Sequence, residues 1–250
     1  MPDPMYLPRD EGERIAYRLQ PGRGPGVLWL GGFHSDMNGI KAQALAGWGA
    51  RTGRAFLRFD YFGHGQSSGE FSRGTISRWR DDALAVLDSL AQGPQVLVAS
   101  SMGGWIALML ARLRPERIAG MLLLAPAADF TEALIWERMP ADVRRQLMET
   151  GSWLRSYDNE APYPITRELI EDGRRNLVLT GRLAPQFPVR IIHGLADSDV
   201  PWQHGLRVAD CLECEVSVTL VKHGDHRLST PRDLKLIERA LEGLLEDVGG

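Results

Sequence analysis

The chain has 250 residues, a formal net charge of −3 and two cysteines, and is long enough to bury roughly 70–75% of its unfolded surface without a disulfide or a metal. It carries no Lys/Arg-rich block and no general cationic field, which excludes nucleic acid as an expected partner. The opening Met1-Pro-Asp-Pro-Met-Tyr-Leu-Pro-Arg-Asp10 has no apolar signal core and no later apolar run approaches a membrane span; a soluble, cytoplasmic protein without stable membrane insertion is expected.

Short apolar runs of buried-strand type alternate with helix-like stretches, which predicts an α/β class with a mostly parallel central sheet flanked by helices, one domain over residues 1–250. The first core strand is read at Gly26–Gly32, running into the loop Gly31-Gly32-Phe33-His34. Arg54–Asp60 is the next, followed by Asp60-Tyr-Phe-Gly63-His-Gly65-Gln-Ser67, whose glycines permit backbone angles closed to other residues. Ile76, Trp79, Ala83, Val86 and Leu90 then recur at helical spacing, as a core-facing stripe.

Gln95–Ala99 is a buried strand that breaks at Ser100-Ser101 and restarts as the helix Met102-Gly-Gly-Trp105. A serine on so sharp a strand-to-helix turn is exposed and lies beside a free backbone N–H, but the turn admits only small residues two places before and after. Ser101 meets that condition with Ala99 and Gly103; Ser100 would place Val98 and Met102 there. Ser101 is therefore the candidate nucleophile. Gly104, Ala107 and Ala111 form a small-residue stripe that lets the following helix approach the sheet.

After the strand Gly120–Ala125 the alternation lapses. Residues 126–188, punctuated by Pro140, Gly151, Pro162 and Pro164, are predicted to form a helical lid of two or three amphipathic helices. Trp136, Met139 and Trp153 are its candidate substrate contacts, with Leu134, Ile135 and Leu154 as further apolar residues.

A serine hydroxyl needs a base and the base needs an acid to hold its tautomer. The strand Val189–His193 leads into His193-Gly-Leu-Ala-Asp197-Ser-Asp-Val-Pro201, where Asp197 is the favoured acid and Asp199 and Asp129 the reserves. The strand-like run Glu215–Val221 leads to Lys222-His-Gly-Asp-His226, and His226 precedes the last helix, which Thr230, Pro231 and Asp233 open as N-cap, first-turn proline and acidic partner. His226 is the candidate base. His64, His193 and His223 read as structural, whereas His34 is a candidate substrate contact beside the Gly31-Gly32 loop. The backbone N–H groups of Met102 and Phe33 are the candidate oxyanion donors. Cys211-Leu-Glu-Cys214 lies between a helix-like and a strand-like run, the wrong place for a redox pair, and no second pair completes a zinc site.

The elbow, the Gly31-Gly32 loop, the Asp60–Ser67 pattern D-x-x-G-x-G-x-S and the H-G-x-x-D-x-x-V-P segment occur in the order found in the α/β-hydrolase superfamily, which this chain resembles over nearly its whole length. Strings such as Arg58-Phe-Asp-Tyr61, Ser100-Ser-Met-Gly-Gly-Trp105 and Asp199-Val-Pro-Trp202 resemble a branch described as mitochondrial palmitoyl-protein thioesterases that also hydrolyse acyl-glucuronides. The resemblance implies a cofactor-free serine hydrolase of esters or thioesters using Ser101, Asp197 and His226, with small acyl esters, thioesters and acylated proteins as substrates. The chain departs from the pattern at Ala99, where the elbow usually has glycine. The alternatives are a carboxylesterase or lactonase for small polar esters and a hydrolase-fold ligand receptor. A peptidase has less support, since no propeller or other gating domain fits in this length.

Overall fold

The computed structural model describes residues 3–157 and 160–249. In chain order the elements are strands β1 (Met5–Pro8), β2 (Arg14–Gln20) and β3 (Arg23–Leu30), helix α1 (Ile40–Thr52), β4 (Arg54–Phe59), α2 (Ile76–Leu90), β5 (Gln95–Ser100), α3 (Met102–Leu113) and β6 (Ile118–Leu124). A π-helical turn (Thr131–Trp136), α4 (Ala141–Thr150), the strands β7 (Ser152–Tyr157) and β8 (Glu160–Thr166) and α5 (Arg167–Arg175) follow. The chain closes with β9 (Val189–Gly194), α6 (Trp202–Asp210), β10 (Val216–Val221) and α7 (Pro231–Val248).

The main sheet has eight strands in the order β1-β2-β4-β3-β5-β6-β9-β10. It is antiparallel only where β2 meets β1 and β4, and parallel from β4 to β10. Both faces are covered, so its central strands carry near-continuous apolar runs, Val27–Leu30, Val96–Ala99 and Met121–Leu124. Val27, Trp29, Val96, Val98 and Leu122 pack under α1 and α7, while Leu28, Leu30, Leu97, Ala99 and Leu123 pack under α2, α3 and α6. The chain thus has the α/β-hydrolase architecture, and the capping box at Thr230 and Asp233 starts α7.

Parallel strands deliver their loops to one edge, so the segments after β3, β5, β6, β9 and β10 emerge together. Non-glycine residues with positive φ gather in these segments: His34, Ser101, Ala125, Asp129 and Leu228. Such angles persist only where the surroundings over-determine them, and they concentrate at functional sites.

Two parts of the prediction are revised. The antiparallel strands β1 and β2 have no counterpart among the predicted elements. The β6–β9 connection is not purely helical: β7 and β8 form a hairpin, with Trp153 paired to Ile165 and Leu154 to Pro164.

Candidate active site

Ser101 sits between the end of β5 and the first turn of α3 at φ 55° and ψ −118°. Its N–H donates to Leu124 O at 3.0 Å, and its carbonyl accepts from Gly104 N–H at 2.9 Å and Ala127 N–H at 3.0 Å. These bonds hold a conformation that costs of the order of 1–3 kcal/mol. Gly103 is required by crowding: a β-carbon there would lie 2.2 Å from Leu30 O and 2.7 Å from Gly31 O.

His226, on the loop between β10 and α7, bridges the other two groups. Its Nε2 is 3.0 Å from Ser101 Oγ and its Nδ1 is 2.8 Å from Asp197 Oδ2. An ionised carboxylate only accepts, so Nδ1 carries the proton and Nε2 receives the serine O–H. Lys41, in the first turn of α1, donates from Nζ to Arg227 O and ties down the histidine loop. Burial pushes the Lys41 ammonium down to about 8, with Asp225 acting in the opposite direction.

Asp197 is buried and fully engaged. Its Oδ1 accepts from Asp199 N–H at 2.9 Å and Val200 N–H at 2.8 Å, and its Oδ2 accepts from His226 and lies 3.3 Å from His193 Nε2, whose hydrogen-bond partner is Val200 O at 2.9 Å. Burial pushes its pKa up, but the adjacent His193, the bonds from His226 and Val200 and the His226 charge outweigh that and hold the carboxyl well below the usual range. Asp129, a reserve for the acid, accepts instead from Val178 and Leu179 N–H at 2.9 Å each and anchors the β6–β9 connection. Asp199 borders the cavity beside His226. Ligand atoms of Asp197, Asp199 and His226 fall within 4.8 Å of one another, close enough to surround a cation; the hydrogen bonds just described account for the Asp197–His226 pair without one.

The loop after β3 lies against the serine, a β-carbon on Gly32 falling 3.3 Å from Ser101 Cβ. Phe33 follows directly, and Met102 opens α3, where first-turn N–H groups have no intrahelical partner. Both predicted donors are thus on segments flanking Ser101.

A cavity of about 480 Å³ opens onto Ser101 and His226, within the usual range for small-molecule sites. Phe33, Phe130, Leu134 and Ile135 make an apolar wall, and Asp36, Lys41, Asp199 and Arg227 a polar one. His34 lines it, its ring stacked on Tyr163 of β8 at 5.1 Å. Trp136, Met139 and Trp153 do not line it. Trp136 turns away and carries the guanidinium groups of Arg174 and Arg144 over its ring at 4.5 and 5.3 Å. Met139 is buried in the core, and Trp153 packs against that core from β7. Strand alternation, rather than helical spacing, sends Leu154 to solvent and Arg155 to the cavity. Tyr163 and Lys41 were not singled out from the sequence; Tyr163 sits between prolines in a segment read as helical, and Lys41 has no motif around it.

Burial pushes the Cys211 thiol up to about 11 and raises Cys214, so both thiols rest protonated. Among the described residues no helix is long and apolar enough to cross a membrane.

Fold and constellation together define a serine-hydrolase-type α/β-hydrolase. The Hydrolase_4 family, described as serine aminopeptidase, S33, matches residues 27–169, and the chain belongs to this family of α/β-hydrolases. It is 36% identical over 244 residues to the mitochondrial palmitoyl-protein thioesterase ABHD10 of Mus musculus, covering 96% of this chain and 82% of that protein. The solved structure of mouse α/β-hydrolase domain-containing protein 10 superposes with a TM-score of 0.92 at 35% identity, covering 98% of this chain and 99% of that one. A putative hydrolase from Agrobacterium vitis S4 superposes with a TM-score of 0.91 at 41% identity, covering 96% and 97% of the two chains.

Proposed function

We propose that this protein hydrolyses acyl esters and thioesters by a two-step transfer through Ser101. The observation that carries the reading is His226, bonded at once to Ser101 Oγ and to the buried Asp197 carboxylate. His226 Nε2 takes the serine proton as Oγ attacks the acyl carbonyl, and returns it to the leaving alcohol or thiol. Water then enters by the same route and releases the acid. Asp197 fixes the imidazole tautomer and stabilises the imidazolium, and the N–H groups of Met102 and Phe33 receive the oxyanion.

The acyl group runs along Phe33, Phe130, Leu134 and Ile135, with the β6–β9 connection as a lid over it. Similarity to a palmitoyl-protein thioesterase over 82% of that protein supports thioesters, acylated proteins among them. The polar wall of Asp36, Lys41, Asp199 and Arg227 favours a second substrate class on the same residues, small polar esters such as acyl-glucuronides. Two free thiols suit a reducing compartment, the cytoplasm or the mitochondrial matrix alike.

The test is turnover of p-nitrophenyl esters and acyl thioesters from C2 to C16, with fluorophosphonate labelling. Ser101→Ala, still folded, is expected to lose labelling and more than about 10⁴-fold in kcat; retained labelling would place the nucleophile elsewhere. A kcat/KM that climbs about fourfold per methylene to long chains supports the palmitoyl-type thioesterase. A maximum at C2 to C4 supports the small-ester class.

A further inference from the structure

The Asp60–Ser67 segment has no part in the mechanism above, yet its side chains reach the loop that carries Phe33. Asp60 Oδ1 accepts from Met37 N–H at 2.6 Å, and Arg58 Nη1 donates to Met37 O at 2.7 Å. Nearer to Phe33, the backbone N–H of His34 donates to His64 Nε2 at 3.2 Å. His64 Nδ1 lies 3.0 Å from Phe62 O, which also accepts from Trp79 Nε1 at 3.0 Å.

These partners leave one protonation state. Phe62 O only accepts, so His64 Nδ1 bears the hydrogen; His34 N–H only donates, so Nε2 is bare. A proton on Nε2 would set two N–H groups against each other. The ring is buried and meets Tyr61, Phe71 and Trp79 edge-on at 5.8, 5.1 and 5.3 Å. Burial pushes its pKa down to about 4, so it stays neutral in the working range. The glycines beside it serve the same turn: a β-carbon on Gly65, at φ 48°, would lie 2.2 Å from Asp60 Oδ2.

His34 itself is held at φ 56°, an uncommon angle for a residue with a side chain. The peptide joining Phe33 to His34 is therefore fixed at its N–H end by an imidazole whose two ring nitrogens serve that bond and its own anchor on Phe62 O. We propose that His64 is a positioning residue for the oxyanion hole: its bare Nε2 holds the His34 N–H and so fixes the Phe33–His34 peptide on one side of the Phe33 Cα, while Ser35 Oγ, donating to Gly32 O at 2.8 Å, holds the Gly32–Phe33 peptide on the other, and together they set the direction of the Phe33 N–H beside Ser101. The inference rests on the assignment of Phe33 N–H as an oxyanion donor.

Misdirecting one such donor falls short of deleting it, which costs 10²–10³-fold in kcat. His64→Phe, which keeps the aromatic packing and removes both bonds, is expected to lower kcat at least about tenfold with KM within about threefold. Its Ki for a trifluoromethyl ketone, which forms a tetrahedral adduct on Ser101, should rise in parallel, as required of a group that acts on the transition state. His64→Gln, whose amide oxygen can accept from His34 and whose NH₂ can donate to Phe62, should recover activity to within about threefold. A folded His64→Phe with kcat within twofold of wild type, or a loss carried by KM alone, overturns the proposal.

Should His64→Phe not fold, His64→Asn replaces it, the shorter amide failing to reach His34; equal activity of the Asn and Gln variants overturns the proposal. Independently, ¹⁵N NMR of imidazole-labelled wild type should show a neutral Nδ1–H tautomer from pH 5 to 8 that is missing from His64→Gln. An Nε2–H tautomer or an imidazolium at that site removes the clamp. Turnover retained by Ser101→Ala would instead mean that the acyl-enzyme reading had failed, an outcome that leaves the tautomer result unchanged.

Discussion

The strand-end loops and the β6–β9 connection border the same cavity but hold their side chains by different physics. At the strand ends the constraints are polar and directional: both oxygens of Asp197 are taken, and Ser101 is bonded at its N–H and its carbonyl. In the connection Asp129 supplies a polar anchor at the root, but the packing of the π-helical turn is apolar and interchangeable, so Leu134 and Ile135 face the cavity while Trp136, one residue on, turns to two arginines. A directional constellation has few solutions and leaves a spaced motif. Apolar packing has many and leaves only composition.

The contrast can be broken most severely at Asp197. Asp197→Asn leaves an amide oxygen for the Asp199 and Val200 N–H groups but turns an NH₂ toward His226, favouring the wrong imidazole tautomer. The expected result is a folded protein with kcat lower by about 10⁴-fold, read by steady-state kinetics alongside circular dichroism; a loss below tenfold would make Asp199 the working acid.

Next in size is Gly103→Ala. Its methyl would fall 2.2 Å from a backbone carbonyl that cannot step aside, so the loop carrying Phe33 or the elbow has to shift. Urea unfolding should show a loss of about 1–3 kcal/mol or more, in the range for overpacking, with activity lost as well. Wild-type stability would mean that the elbow is looser than its hydrogen bonds indicate.

His204 connects the two regions, its Nε2 donating to Ala128 O at 2.7 Å at the root of the connection. Burial, ahead of other causes, pushes its pKa from 6.5 down to about 4. Between those values the unfolded chain binds a proton that the folded chain does not. Its contribution is therefore complete above pH 6.5 and is lost as pH falls toward 4, about 3 kcal/mol in all. Asp60 and Asp82, raised to about 6 mainly by burial, act in the opposite direction over part of that range, so the measurement is a difference. From pH 7.5 to 4, urea unfolding of His204→Gln should gain about 3 kcal/mol on wild type; parallel curves would remove His204 from the acid response.

The smallest effects sharpen the contrast within the connection. Ile135→Ala should lower kcat/KM about fourfold to tenfold for long acyl chains and little for acetyl esters. Trp136→Ala should leave both within twofold and cost about 1–2 kcal/mol of stability through its arginine contacts. A reversal of this order would put Trp136 back on the cavity wall.

The parallel α/β core was legible from sequence alone, because strands buried on both faces leave near-continuous apolar runs. The sequence also singled out Ser101 over Ser100 through the size of the residues around it, His226 through its loop between the last strand and the last helix, and Asp197 over Asp199 through the H-G-x-x-D-x-x-V-P pattern that the chain shares with the α/β-hydrolases. It did not determine which way Trp136, Met139 and Trp153 face, because a π-helical turn and a β-hairpin replace the α-helical period on which that reading depended. Only the tertiary structure brought Lys41, Tyr163 and His64 to the site. Each acts on a segment distant in sequence, Lys41 on the loop of His226, Tyr163 on His34 and His64 on the His34 backbone. Contacts across such separations leave no local periodicity, so they exist only once the sheet has aligned the ends of its strands.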